Sequence, residues 1–245
     1  MTFKHYIPNT ITSLNLLFGS VSIVYAFEGY LHIAALLVII ASVFDFLDGF
    51  SARILKAYSA VGKELDSLAD LISFGLAPSV IVYISMQQNL PNWGPELAGL
   101  NILPFIAFSI TVFSGLRLAI FNIDENQTEH FIGLPTPANA IFFISFPLAL
   151  QYGSEQSFLF AFYQGITQSY YILAFLSMIS SYLMLSNLPL FSLKFKNLHF
   201  RPNRIRYIFV IVCAGMLLLL GIHALPLFIV WYIVLSIADH LFKIS

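Results

Sequence analysis

Four aspartates, Asp45, Asp48, Asp66 and Asp70, are the residues whose type and spacing most clearly imply chemistry. Asp45 and Asp48 are spaced i,i+3, and Asp66 and Asp70 i,i+4, so each pair shares one face of a helix. The segment between the pairs is short. That predicts two antiparallel neighbouring helices with all four carboxylates at similar depth. Like charges at one level repel, and an ionised Asp at the centre of a bilayer costs ~2.5–3.5 kcal/mol on insertion scales. Such a cluster persists only with compensating cation. Hard divalent ions take oxygen ligands, and two of them would come close to balancing four carboxylates. A pair of ions suits an in-line displacement at phosphorus, where both the entering and the leaving oxygen gain negative charge.

The residues interleaved with the acids fit that chemistry. Gly49, Ala52 and Gly62 leave room for a flat or phosphorylated ligand, although small residues also let membrane helices pack closely. Arg53 lies between the two acid pairs. Its planar fork of donors suits a phosphate, and it would equally serve as a positive anchor at a membrane surface.

These helices must sit in lipid. The chain is 59% hydrophobic and 9% charged, against roughly 25% charge in a soluble domain. A span needs ~20 mostly apolar residues, and eight stretches qualify, near 10–27, 32–52, 64–87, 98–120, 135–152, 167–188, 205–222 and 224–242. With the N-terminus in the cytoplasm, every Lys and Arg falls on the cytoplasmic side: Lys4, Arg53, Lys56, Lys63, Arg117, Lys194, Lys196, Arg201, Arg204, Arg206 and Lys243. Positive charge on that side is the usual bias of membrane proteins. Both termini and the aspartates are therefore expected at the cytoplasmic face of a multi-pass protein of the cell (inner) membrane. The first apolar run reads as a retained helix rather than a cleaved leader. The basic, aromatic stretch 191–206 reads as a solvated inner loop. Trp93 reads as an interfacial anchor and Trp231 as a packing or lipid-facing residue. A net charge of −1 implies no nucleic-acid partner, and the single cysteine, Cys213, allows no internal disulfide. The six histidines show no ligand spacing.

The stretch 45–70 matches the signature D-x2-D-G-x2-A-R-x8-G-x3-D-x3-D at every fixed position: Asp45, Asp48, Gly49, Ala52, Arg53, Gly62, Asp66 and Asp70. The sequence thereby resembles the CDP-alcohol phosphotransferase family. The resemblance implies an all-α integral membrane fold with a six-helix core. That core would occupy 1–188, with a basic loop and two further spans in 189–245. It also implies CDP-diacylglycerol as lipid donor, an alcohol as acceptor, release of CMP, and Mg²⁺ or Mn²⁺ (two ions) on the four aspartates. Asp70 would be the general base, a homodimer is the usual assembly, and Asn15, Asp48, Gly49, Ala52, Arg53 and Gly62 would face the CDP-lipid. Further stretches, I-P-N-T-I-T-S-L-N-L-L-F-G at 7–19, D-S-L-A-D-L-I-S-F-G-L-A-P at 66–78, R-L-A-I-F-N at 117–122 and F-I-G-L-P-T-P-A at 131–138, resemble the phosphatidylserine synthase branch. Ile120 departs from it, where a basic residue is expected.

The acceptor calls for its own reasoning. Serine is a zwitterion, so its carboxylate wants a guanidinium and its ammonium wants oxygen acceptors. Arg117, Asn122 and Thr136 are the acceptor-site candidates at this end of the bundle. For Thr136, between Pro135 and Pro137, helix capping is the competing role. Glycerol-3-phosphate would want more cation than Arg53, Arg117, Lys56 and Lys63 provide; inositol is the other alcohol considered. A reading of another class is a divalent-cation transporter. It fits poorly, since spans one, four, five, six and seven carry no acid to continue a path.

Overall fold

The computed structural model describes residues 3–90, 94–123, 131–193, 199–200 and 203–242. Trp93, Lys194, Lys196, Arg201 and Lys243, used above for topology, lie outside the described residues. The chain is helical throughout: α1 (Phe3–Phe27), α2 (Leu31–Leu55), α3 (Ala60–Asp70), a π-helical turn (Leu71–Leu76), α4 (Ala77–Gln87), α5 (Ser109–Ile123), α6 (Thr136–Tyr152), α7 (Phe158–Gln168), α8 (Tyr170–Leu185), α9 (Arg204–Leu220) and α10 (Leu225–Phe242). Two tiny antiparallel pairs tie the connections. β1 (Glu96–Leu97) meets β2 (Leu100–Asn101) across Ala98-Gly99, and β3 (Phe131–Ile132) meets β4 (Pro189–Leu190).

Among the described residues, five helical stretches are long and apolar enough to cross a membrane, and a sixth arises if α7 and α8, bent by 85° at Ser169, are taken together. Three sequence expectations are corrected. The connector expected after 152 contains α7, an 11-residue helix capped by the Ser157 hydroxyl, which accepts from Leu159 N at 3.2 Å. The span expected at 98–120 begins as hairpin and 3-10 turn (Leu103–Phe108) before α5. The third correction concerns the acid-bearing helices: α1 packs along both α2 and α3, while α2 and α3 barely approach one another. A short loop requires only that helix ends be close, and here α1 is the helix that packs on both.

The position of α1 follows from its sequence. Thr12, Asn15, Gly19 and Ser22 recur every three or four residues, which puts them on one face. Thr12, Asn15 and Ser22 are all buried. Ser22 Oγ donates to Ala34 O of α2 at 2.8 Å, and Ser73 Oγ of the π turn donates to Asn15 O at 3.0 Å. A Cβ on Gly19 would lie 2.8 Å from the Ser73 Cα, so only glycine permits this approach. Farther along, Ala26, Ala34, Ala35 and Val38 pack with Phe74, Ile81 and Ile144. Without a hydrophobic drive between helices in lipid, small side chains let dispersion and hydrogen bonds hold backbones together.

The C-terminal helices belong to the same body. Phe191 stacks edge-on against Phe209 of α9 (6.0 Å) and Tyr232 of α10 (5.0 Å), and Phe209 reaches Tyr232 at 5.9 Å. The chain therefore folds back at Gly221, whose φ of +58° suits a residue without a Cβ. Tyr163 of α7 donates to His223 O at 2.7 Å and fixes that turn to the bundle.

Candidate active site

The site forms where the start of α1, the end of α2 and the start of α3 converge. Lys56 adopts the left-handed conformation and stops α2. Ser59 then caps α3, accepting from Gly62 N at 3.0 Å. A cavity of about 300 Å³ opens among the three helices. Asp45, Asp48, Gly49 and Ala52 line it from α2. Gly62, Lys63 and Asp66 line it from α3, Ala57–Ser59 from the turn, and Pro8, Asn9 and Thr12 from α1. The volume sits at the small end of ligand-site sizes.

Asp45, Asp48 and Asp66 offer carboxylate oxygens that all lie within 4.8 Å of one another. At that spacing each ionised pair repels by about 3 kcal/mol in an effective dielectric of about 20. Lys63 is the one cationic side chain among the described residues that line the cavity, and its Nζ is engaged with Asn122 O at 2.9 Å. Asp48 is 4% exposed, and its Oδ2 is buried without a hydrogen-bond partner. Three converging carboxylates, one with an orphaned oxygen, are a donor set suited to a hard divalent ion.

Asp70 stands apart from this trio. Its carboxyl reaches that of Asp45 and accepts from Asn15 Nδ2 at 3.4 Å. Asn15 is fully buried and lines Asp70 rather than the cavity. Its Oδ1 has no partner. Immediately after Asp70 the helix widens into the π turn, where Ala77 N bonds Ile72 O. Such turns are rare and recur at functional sites.

The two glycines of the signature differ in role. A Cβ on Gly49 would meet nothing within 4 Å, so that position is open space on the cavity wall. A Cβ on Gly62 would lie 2.9 Å from Asn9 Oδ1 and 3.0 Å from Ser59 Oγ, so Gly62 serves helix packing and the cap. Arg53 is exposed, and its Nε donates to Gly49 O at 2.9 Å, one turn back on its own helix. It is not among the cavity's lining residues.

The acceptor candidates separate. Asn122 Nδ2 donates to Ser67 Oγ at 2.8 Å, joining the end of α5 to the face of α3 between Asp66 and Asp70. Arg117 is 8% exposed with Nε unpartnered, and its neighbour is Tyr232 of α10. Thr136 is fully buried and its hydroxyl has no partner. Pro135 occupies the cap position of α6, so the hydroxyl of Thr136 caps nothing. Neither Arg117 nor Thr136 borders the aspartate cavity. Reading the sequence missed Asn9, Thr12 and Tyr58 on that cavity's wall. For the first two a signal existed: Asn9, Thr12 and Asn15 recur at i,i+3 along α1.

The fold and this site define a bundle of long apolar helices, compatible with a membrane protein, that carries a carboxylate-lined cavity at one end. The chain belongs to the CDP-alcohol phosphatidyltransferase family, whose model matches residues 5–189. Among its relatives, a CDP-diacylglycerol–serine O-phosphatidyltransferase of Helicobacter pylori is 38% identical over 136 residues, covering 55% of this chain and 54% of that protein. One of Bacillus subtilis is 39% identical over 133 residues, 54% of this chain and 70% of that protein. An archaetidylserine synthase of Methanothermobacter thermautotrophicus is 35% identical over 156 residues, 63% and 62% of the two chains. The chain thus spans about half the length of the first of these relatives.

The glycines generate a paired prediction. Gly49→Leu should leave the thermal midpoint of the purified protein within about a degree while weakening CDP binding at least tenfold, because the side chain fills only the cavity. Gly19→Leu should lower the midpoint by several degrees, because overpacking costs ~1–3 kcal/mol and each kcal/mol is worth ~2–4 °C at this size. Thermal unfolding and CDP titration measure both. A Gly49 variant that binds CDP normally would show that the cavity is not the nucleotide site.

Proposed function

We propose that this chain transfers the phosphatidyl group of CDP-diacylglycerol to the hydroxyl of L-serine, forming phosphatidylserine and releasing CMP. The observation that carries the reading is the convergence of the signature's acids and Gly49 on one cavity beside a buried, separately held carboxylate, Asp70. The names of the relatives supply serine as the acceptor.

In this proposal Asp45, Asp48, Asp66 and Asp70 hold Mg²⁺ or Mn²⁺, two ions by charge balance. When bound, the metal neutralises the anionic pyrophosphate and steadies the charge on the leaving CMP. The residues of the chain do the rest. Asn9, Thr12, Gly49 and Ala52 shape the floor on which the nucleotide diphosphate lies. Asn15 steadies Asp70 through the Nδ2 contact, so that its carboxylate is aimed at the acceptor. Asp70 takes the proton of the serine hydroxyl as that oxygen forms its bond to the phosphatidyl phosphorus and the bond to the CMP oxygen breaks. A positioned base is needed because an alcohol is a poor nucleophile at neutral pH. Arg117, Asn122 and Thr136 are the groups proposed to receive the carboxylate and ammonium of serine. Arg53 steadies the phosphates only if its exposed side chain leaves Gly49 O and swings inward when the nucleotide binds.

The same reading places the chain in the cell (inner) membrane with eight spans and both termini in the cytoplasm. The catalytic unit is then 1–188 and the assembly a homodimer. The supports are the Lys and Arg distribution and the family resemblance. Nothing in the site favours the transporter reading, since the acids end in one cavity at one end of the bundle.

The test supplies purified protein with CDP-diacylglycerol, Mn²⁺ and, in turn, serine, inositol or glycerol-3-phosphate, and measures CMP. Serine should give release at least tenfold above the other two; release with inositol alone would overturn the acceptor assignment. Asp70→Asn should lower turnover by 10²–10⁴-fold, the usual span of general base catalysis, with CDP-lipid binding retained. Turnover near that of the unaltered protein would remove Asp70 from the base role.

A further inference from the structure

A second cavity, of about 380 Å³, lies at the other end of the bundle from the aspartates and shares no lining residue with their cavity. Its wall runs from Gly29 and His32, across the end of α4, to the last turns of α6 and one face of α7. His32 and Asp45 both belong to α2, and at 1.5 Å per residue about 20 Å separates them. Four glutamines, Gln88, Gln151, Gln164 and Gln168, line this space together with the imidazole of His32. The glutamines are exposed, and none of the five side chains has a hydrogen bond within the described residues. No Asp, Glu, Lys or Arg is among the described residues of the wall.

Helix α7 sorts its residues accordingly. Leu159, Tyr163 and Ile166 pack into the bundle. Gln164, Thr167 and Gln168, spaced i,i+3 and i,i+4, share one face, and all three line the cavity. The remaining side carries Phe158 and Phe162, stacked at 6.4 Å and 81% and 51% exposed. A surface helix in water usually turns its polar residues to the outside; in α7 the outer side is aromatic and the amides stand at the cavity. Asn89 ties this wall together, its Nδ2 donating to Ser85 O of α4 at 2.9 Å and to Thr167 O of α7 at 3.4 Å.

Each carboxamide both donates and accepts, as does a neutral imidazole. Five such groups around one space match a partner whose own polar groups donate and accept, and hydroxyls have that property. A charged ligand would find no counter-charge in this wall. Phe160 and Pro147, which also line it, supply apolar surface for the C–H face of a ring. The volume falls within the range of ligand sites. We propose that this cavity binds the uncharged polyhydroxyl ring of a sugar, free or as the headgroup of a lipid.

The test uses the full-length protein in a polyoxyethylene detergent, which carries no sugar, with binding followed by saturation-transfer NMR and by the shift of the thermal midpoint. Glucose should bind saturably. Glucuronate, which adds a charge that the wall does not balance, should bind at least tenfold more weakly. Octyl glucoside below its micelle concentration, beside octanol, separates the two sources. Affinity equal to that of glucose assigns a free sugar; affinity at least tenfold above both glucose and octanol assigns a lipid headgroup. Gln164→Leu combined with Gln168→Leu should weaken glucose binding at least tenfold, the worth of two net hydrogen bonds. CMP release by that variant should match the unaltered chain, which separates this site from the catalytic one. Phe162→Leu, on the other side of α7, should leave glucose binding unchanged. If the double variant fails to fold, Gln88→Leu on the α4 side should lose three- to tenfold in its place. No saturable glucose binding, equal binding of glucuronate, or binding that survives loss of the glutamines would overturn the proposal.

Discussion

Mutual repulsion among carboxylates that cannot move apart is the constraint on which this structure turns. Asp45, Asp48 and Asp66 converge within 4.8 Å at one end of an apolar bundle, where solvent screens little. A bound divalent cation would relieve that repulsion. The surrounding architecture serves that end. α1 packs along both α2 and α3, and the three helices together line the cavity. The Gly19–Ser73 approach seats α1 against the π turn. The Ser59 cap fixes where α3 begins, and with it the height of Asp66 and Asp70.

Asp70 illustrates how position divides identical side chains into different roles. Three aspartates face the cavity, while the fourth is held behind them by Asn15 and borders the π turn. The widened turn lets residues before and after it face different neighbours. Leu71 and Gly75 meet α5 near Gly115 and Ser114, while Asp66 and Asp70 continue to face α1 and α2. Ties from α5 back to α3, through Asn122 to Ser67 and Lys63 to Asn122 O, hold this assembly together from the other side.

Much of this was legible in the sequence, for definite reasons. Helical spacing alone put each aspartate pair on one face, and the charge deficit alone put the helices in lipid. The packing of α1 on both α2 and α3 was not legible, because loop length between α2 and α3 constrains their ends and says nothing of a third helix. The polar stripe Asn9–Thr12–Asn15 was visible and marks α1 as a site helix. The π turn was not, since nothing in Leu71–Leu76 distinguishes i+5 from i+4 bonding. α7 was hidden by its brevity, 11 residues against the ~20 that a span needs. Arg53 shows the limit of motif position: adjacency to the acids in sequence does not aim the side chain, which folds back onto Gly49 O.

The central claim is that the aspartate cluster exists to hold divalent metal. Equilibrium binding of Mn²⁺, followed by electron paramagnetic resonance in the presence of CDP, tests it most directly on the purified chain and on the combined Asp45→Asn, Asp48→Asn, Asp66→Asn variant. The account predicts saturable Mn²⁺ binding by the first and loss of at least a hundredfold in affinity by the second. Equal binding by both, or none by the unaltered protein, would contradict it.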